Sequence, residues 1–218
     1  MNTYYPVYLE LRDQPCLVVG GGKLAEEKVV GLLAVHAKVT LISAKITAHL
    51  KQLVDENQVT YIPRAYQQGD LADAFMVICA TDNAELNQQV WDEASAAHKL
   101  VNVVDDIPHC NFIAPAIIRN GDLTVAISTS GRAPALAVRL KERWQKELGN
   151  EYAHFLELAG HLREPLAQHI PDFATRKKLW YEIVDSGILE VLAQGDEERA
   201  IEIISEKVGF EFQPRVKA

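Results

Sequence analysis

The chain is predicted to be an α/β protein, a doubly wound and mainly parallel sheet followed by a small α+β segment and a helical C-terminal domain. Three observations predict it. Apolar runs of strand length alternate with helical periodicities through the first half of the sequence. Two further apolar runs are joined by Asn120-Gly121-Asp122, a turn of the kind hairpins favour. From about residue 149 onward the periodicity is helical throughout.

Tyr5-Pro6-Val7-Tyr8-Leu9 alternates and reads as a short strand. Gln14-Pro15 turns the chain into Cys16-Leu17-Val18-Val19, a continuous apolar run of the kind buried on both faces of a parallel sheet. After Gly20-Gly21-Gly22, the residues Ala25, Val29, Leu32 and Leu33 recur at helical spacing, and Ala37–Ile42 is a second strand. The alternation continues with a helix near 46–56, a strand at Val59–Ile62, a strand at Phe75–Ala80, a helix at 84–97 and a strand at Leu100–Val104. Phe112–Arg119 and Leu123–Ser128 are the hairpin strands. Ser130-Gly131-Arg132-Ala133-Pro134 then opens a helix to about Leu148, stopped by Gly149-Asn150. Beyond it, Pro165, Pro171, Gly187 and Gly195 are expected to break the helices. The expected divisions are a dinucleotide-binding domain over 1–112, a hairpin-and-helix segment over 113–148 and a helical domain over 149–218.

The 218 residues are 48% hydrophobic and 24% charged, the composition of an ordinary globular protein. Met1–Pro6 has no basic start or apolar stretch of a signal peptide, and no apolar run is long enough to span a membrane, so the cytoplasm is the expected location. Cys16, Cys79 and Cys110 are odd in number and set in or beside apolar runs, which suits reduced buried thiols rather than a disulfide frame or a zinc site. The seven histidines show no ligand spacing such as HxxxH, so no metal site is expected. A net charge of −8 argues against nucleic-acid binding. The segment 113–146 nevertheless carries six basic and two acidic side chains, which suits either a solvated helix face or a pocket for a small polyanion.

Gly20-x-Gly22-x-x-Ala25 fits the GxGxxG/A fingerprint of Rossmann-type dinucleotide sites, and it stands where the fingerprint requires, after a strand and at the start of a helix. There the backbone amides of Gly20, Gly21, Gly22, Lys23 and Leu24 and the positive end of the helix face a pyrophosphate. The acidic ribose partner usual at the end of the second strand is missing. Ser43, Ala44 and Lys45 stand there instead: Ser43 can bond a ribose hydroxyl and Lys45 can accept a 2′-phosphate, leaving NAD and NADP both open on chemistry alone. Thr81 and Asp82 end another strand and are cleft candidates, although Asp82 equally suits a helix N-cap. Asp105 follows an apolar strand at the carboxyl edge of the sheet, where it is either a helix cap or solvated loop acid, or a proton acceptor whose pKa is raised by burial. Its neighbour Asp106 is expected to face solvent, and His109 to be incidental. Ser128, Thr129, Ser130, Gly131 and Arg132 suit an anion receptor, with Arg132 and Arg139 the better-placed cations, although capping alone explains one serine.

These landmarks together resemble the precorrin-2 dehydrogenases of sirohaem biosynthesis, which occur free-standing or as the N-terminal part of a sirohaem synthase. The matching stretches are Pro6-Val7, Cys16–Lys28, Ala80-Thr81-Asp82, Asn102–Asp105, Cys110–Ala116 and Ala126–Ala137, in family order over the first 140 or so residues. The resemblance implies NAD-dependent oxidation of precorrin-2, an octacarboxylate tetrapyrrole, to sirohydrochlorin. It puts the catalytic aspartate on Asp105 and substrate contacts on Asn102 and the Ser128–Arg132 stretch, with Arg139. It further implies a homodimer with 113–148 as its dimerisation segment, and a helical C-terminal domain. Some members also insert ferrous iron. With the chain ending at Ala218, the methyltransferase domain of the fused synthases is expected to be absent. Two other readings share the fold: a nicotinamide-dependent oxidoreductase of another small polyanion, and a non-enzymatic nucleotide-sensing module.

Overall fold

A computed structural model describes residues 4–214 and divides the chain into two units, Met1–Ala114 and Pro115–Ala218. The first holds a five-stranded parallel sheet of β1 (Pro15–Val19), β2 (Lys38–Ile42), β3 (Val59–Ile62), β4 (Met76–Cys79) and β5 (Leu100–Val103), in the order β3-β2-β1-β4-β5. Its helices are α1 (Lys23–Leu33), α2 (Ala48–Asp55) and α3 (Ala84–Ala96). Side chains alternate across a strand, so each strand feeds both faces. Val18, Leu41 and Ile78 pack with Ala25, Val29 and Leu32 of α1 and Leu50 of α2, while Val19, Val77 and Val103 pack with Val90 and Ala94 of α3. Helices cover both faces, the doubly wound arrangement expected.

The order of the strands places the functional end. Connections run outward from β1 to β2 and β3, then the chain returns to lay β4 on the other side of β1 and continues to β5. The reversal falls between β1 and β4, and ligands of open α/β sheets bind in the crevice at the carboxyl ends of the strands flanking such a reversal. The loop after β1 is the three-glycine stretch.

In the second unit, β6 (Ala116–Asn120) and β7 (Leu123–Ile127) form an antiparallel hairpin turned at Gly121, whose φ is +55°. A two-stranded sheet is marginal alone. Here α4 (Pro134–Glu147) packs on it through Ala137, Leu140 and Trp144 against Ile118 and Ile127. The remaining helices, α5 (Asn150–His169), α6 (Phe173–Val184), α7 (Ile188–Ala193) and α8 (Glu197–Val208), enclose a core of Leu162, Leu166, Ile183, Ile188, Ile204 and Phe212.

Three expectations are corrected. Tyr5–Leu9 forms no strand; Tyr5, Val7 and Tyr8 lie exposed. The first hairpin strand starts at Ala116 rather than Phe112: residues 110–112 instead fold back on β5, with Asn111 N–H donating to Val101 O at 3.0 Å, and Pro115 has no N–H for a ladder. Pro165 does not end a helix but lies inside α5. An interior proline costs about 3 kcal/mol, and the fully buried Leu158, Leu162 and Leu166 on the same helix offset it. Met1–Thr3, where no signal peptide is expected, and the terminal Ala218 lie outside the described residues.

Candidate active site

The glycine turn is built by close approach. Gly20 has a φ of +115°, a conformation side chains rarely adopt, and a β-carbon there would collide with the Ala80 carbonyl. At Gly21 a β-carbon would collide with the Lys45 carbonyl oxygen. These two glycines thus let the ends of β4 and β2 close on the turn. Gly22 differs: no atom lies within 4 Å of its β-carbon position, so it borders open space. It is the N-cap of α1 and supplies no side-chain cap, and the helical ladder opens with Glu26 N–H donating to Gly22 O at 3.0 Å. The preceding N–H groups of the first turn are therefore available to an anion, with the positive end of the helix behind them. Ala25, wholly buried, lets α1 lie close on the sheet. These residues fit a dinucleotide pyrophosphate.

The loop after β2 closes the other side. Gly20 N–H donates to Ile42 O at 2.9 Å and Thr47 N–H to Gly21 O at 3.1 Å. Ser43 donates its hydroxyl proton to Lys45 O at 2.7 Å, and its own carbonyl accepts from Tyr61 Oη at 2.9 Å. Ser43 thus remains able to accept from a ribose hydroxyl. Ala44 and Lys45 are exposed. Thr47 donates to Glu26 of α1 and accepts from Leu50 N–H at 3.2 Å as the cap of α2. The Thr47 hydroxyl and then the Lys23 ammonium, 2.9 Å away, hold the Glu26 carboxyl down at about 2, well below its ordinary 4.5. Lys23 is thereby engaged with Glu26.

At the ends of β4 and β5, Thr81 is brought beside Gly20, its methyl lying 3.3 Å from that residue's β-carbon position. Its hydroxyl donates to Asn87 Oδ1 at 2.6 Å. Asp82 is exposed and does not cap α3; Asn83 does, accepting from Leu86 N–H at 3.1 Å. Asp105 lies two residues past β5 with φ +62°, in the left-handed region. It is exposed, as a loop acid would be, and not buried as the alternative reading of it requires. Asp106 is not a solvent acid: it is half-buried and bonds His109 Nδ1 at 2.6 Å, and the His109 ring lies 5.7 Å from that of Trp91. His109 accordingly holds the loop that carries Asp105. Asn102 is buried, with Nδ2 donating to Phe112 O at 3.0 Å and to Cys110 Sγ at 3.3 Å, so its amide ties the returning chain to β5.

In the second unit, Ser130 (φ +53°) and Gly131 (φ +75°) form a left-handed bend before α4. Ser128 Oγ accepts from Ser130 N–H at 3.0 Å and Thr129 Oγ1 from Ala133 N–H at 3.3 Å, so two of the three hydroxyls serve the loop itself. Arg132 is exposed, whereas Arg139 pairs with Glu142 one turn on at 2.6 Å. Burial pushes the thiols of Cys16 and Cys79 up to about 11 and about 12, the state of inert core cysteines. Among the described residues no group of three metal-ligating side chains converges, and no helix is long and apolar enough to cross a membrane.

Sequence reasoning missed Glu26 and Thr47. Thr47 before Ala48 carries a capping signal, and Glu26 is an acid in a first helical turn. Nothing local joins two residues 21 positions apart.

Comparisons with known proteins agree in family across the chain. A family model described as putative NAD(P)-binding matches residues 7–116. One described as the sirohaem biosynthesis protein central region matches 120–143, and one described as the sirohaem synthase dimerisation region matches 151–207. The siroheme synthase of Pseudoalteromonas translucida (strain TAC 125) is 35% identical over 211 residues, covering 97% of this chain and 45% of that protein. Siroheme synthase 1 of Cronobacter sakazakii (strain ATCC BAA-894) is 37% identical over 203 residues, 93% of this chain and 43% of that protein. The chain spans less than half the length of these relatives. The solved structure of SirC, precorrin-2 dehydrogenase, matches with a TM-score of 0.76 at 25% identity, covering 93% of this chain and 100% of that one.

Proposed function

This chain belongs to the precorrin-2 dehydrogenase and sirohaem synthase family, and from that premise we propose that it oxidises precorrin-2 to sirohydrochlorin with NAD as the hydride acceptor. The observation that carries the reading is the glycine turn at the reversal of strand order, with Gly22 bordering open space and the first amides of α1 uncapped by any side chain. An anion belongs at such a helix end.

When bound, the nicotinamide ring supplies the hydride acceptor. The chain's own residues do the rest. The amides of Gly21 to Leu24 hold the pyrophosphate, the Gly20 N–H being taken by Ile42 O, while Ser43 accepts from the adenosine ribose and Thr81 and Asp82 line the cleft beside Gly20. The absence of an acidic partner at Ser43-Ala44-Lys45 leaves NADP a usable second acceptor. Oxidation removes one hydride and one proton from the tetrapyrrole. The Asp105 carboxylate takes the proton and passes it to water, for which its exposed position suits it. Arg132 and the Ser128–Gly131 bend receive substrate carboxylates, with Arg139 supporting them after leaving Glu142; a guanidinium does this in bidentate fashion. Asn102 contributes by fixing the chain on either side of Asp105. The working form is a homodimer in the cytoplasm. Ferrous iron is a further substrate, inserted into the product.

The test is an anaerobic assay with enzymatically prepared precorrin-2 and NAD or NADP, following the tetrapyrrole spectrum and reduced nicotinamide together. Stoichiometric conversion is expected, and a later addition of ferrous ions is expected to change the spectrum faster than metal alone does. Dinucleotide binding without conversion would give the site to another polyanionic substrate.

A further inference from the structure

We propose that Thr47 and Glu26 are a positioning pair that sets dinucleotide affinity by fixing the loop after β2 against the glycine turn. The inference rests on the glycine turn being the dinucleotide site. The loop runs from Ser43 to Thr47, and its two ends are pinned by backbone bonds, Ser43 N–H to Ile62 O at 3.3 Å and Thr47 N–H to Gly21 O at 3.1 Å. Between them the Lys45 carbonyl rests where a Gly21 side chain would begin, so the loop and the turn share one surface.

The Thr47 hydroxyl has a single proton. Leu50 N–H, 3.2 Å away, occupies one of its lone pairs, so the proton is directed to Glu26. Glu26 stands in the first turn of α1, the turn whose amides face the phosphates, and its carboxylate is only 13% exposed. One hydroxyl therefore joins the α2 end of the loop to the α1 end of the phosphate site. A carboxylate beside an anion site is unfavourable by itself, and here Lys23 at 2.9 Å and His49 at 3.5 Å surround it. Glu26 is a tether whose charge is locally compensated.

Without the tether the loop would have to be ordered by the incoming cofactor, and ordering residues on binding subtracts from affinity. The chemistry would be untouched. The pair lies at the ends of β1 and β2, whereas Asp105 follows β5 on the far side of β4. The signature is thus a higher dissociation constant and KM for the dinucleotide with turnover preserved at saturation.

The experiment is titration calorimetry of NAD into the full chain, with KM and kcat measured in parallel, for Thr47→Val, Thr47→Ser, Glu26→Ala and Glu26→Gln. Thr47→Val and Glu26→Ala are expected to weaken binding about tenfold or more, the scale of a lost hydrogen bond to a charged group. Thr47→Ser and Glu26→Gln keep an O–H donor facing an oxygen acceptor and are expected to stay near wild type. A lower melting temperature with unchanged dissociation constant in Thr47→Val would make the pair merely structural and overturn the proposal. So would equal weakening by the conservative variants. If Thr47→Val is unfolded by circular dichroism, Glu26→Ala decides the matter, because it leaves the cap of α2 in place. Wild-type protein that binds no dinucleotide would instead sink the reading of the glycine turn itself.

Discussion

The Lys45 carbonyl oxygen occupies the place where a side chain on Gly21 would start. Backbone cannot retreat there as a flexible side chain would, because Thr47 N–H holds the same loop to Gly21 O at 3.1 Å. Gly21→Ala is therefore expected to displace the loop, lowering the melting temperature by several degrees, as roughly 1–3 kcal/mol of packing strain would in a chain of this size. Dinucleotide affinity should fall with it. A variant with unchanged melting temperature and affinity would show that the loop yields freely.

Gly22→Asp separates the two effects. Its β-carbon would meet nothing within 4 Å, and aspartate is a good N-cap, so the melting temperature is expected to hold or rise. The added carboxylate would occupy the helix end to which the proposed function assigns the phosphates. Binding of NAD is expected to weaken by about thirtyfold or more, on the scale of a charge placed against a charge in a partly dry cleft. Unchanged affinity measured by calorimetry would move the phosphate site away from α1.

Asp105→Asn is conservative in shape and in backbone preference. Asparagine tolerates the left-handed φ of +62°, so the fold and NAD binding are expected to survive. Loss of a proton acceptor should lower kcat for precorrin-2 oxidation by roughly a hundredfold to ten-thousandfold. Normal turnover with bound cofactor would remove Asp105 from the chemistry.

How much of this could be read from the sequence follows from the range of the interactions. The strand, glycine and helix order is local, and β1, α1 and β2 fall where alternation and turn chemistry put them. Tyr5–Leu9 alternates equally well, yet alternation says which way side chains point and not whether a sheet edge is left to pair with. The outer edge of β5 is used instead by residues 110–111. Pro165 failed as a helix breaker because buried leucines either side of it belong to one core. At the site, Gly20 to Gly22 were legible as a group, but their division of labour was not. Two are glycine because carbonyls of the segments that follow β4 and β2 approach them, and one borders open space. The bonds of Asp106 to His109 and of Thr47 to Glu26 required the folded chain.

Asn102 tests the support beneath Asp105. Its Nδ2 is the donor to Phe112 O at 3.0 Å inside a buried setting, so Asn102→Leu would leave that carbonyl unpaired. A loss of about 1–3 kcal/mol of stability is expected in denaturant unfolding. A stability unchanged within error would mean that the loop carrying Asp105 is held without it.

The Glu26 carboxyl predicts a pH dependence with a definite sign. Its folded value of about 2 lies below the ordinary 4.5, so the ionised form is favoured by folding. That contribution is complete above the ordinary value and is lost as pH falls from 4.5 through about 2. Protonated glutamic acid and glutamine have nearly the same shape and both offer a carbonyl oxygen to Thr47, so Glu26→Gln is the right reference. The melting-temperature difference between wild type and Glu26→Gln should be present at about pH 5 and shrink toward zero below that. Lys23 and His49 face the same carboxylate, and high salt should reduce the difference where the charge is present. A difference that disappears already near pH 6, or persists undiminished near pH 2.5, would contradict a carboxylate held ionised by Thr47 and Lys23.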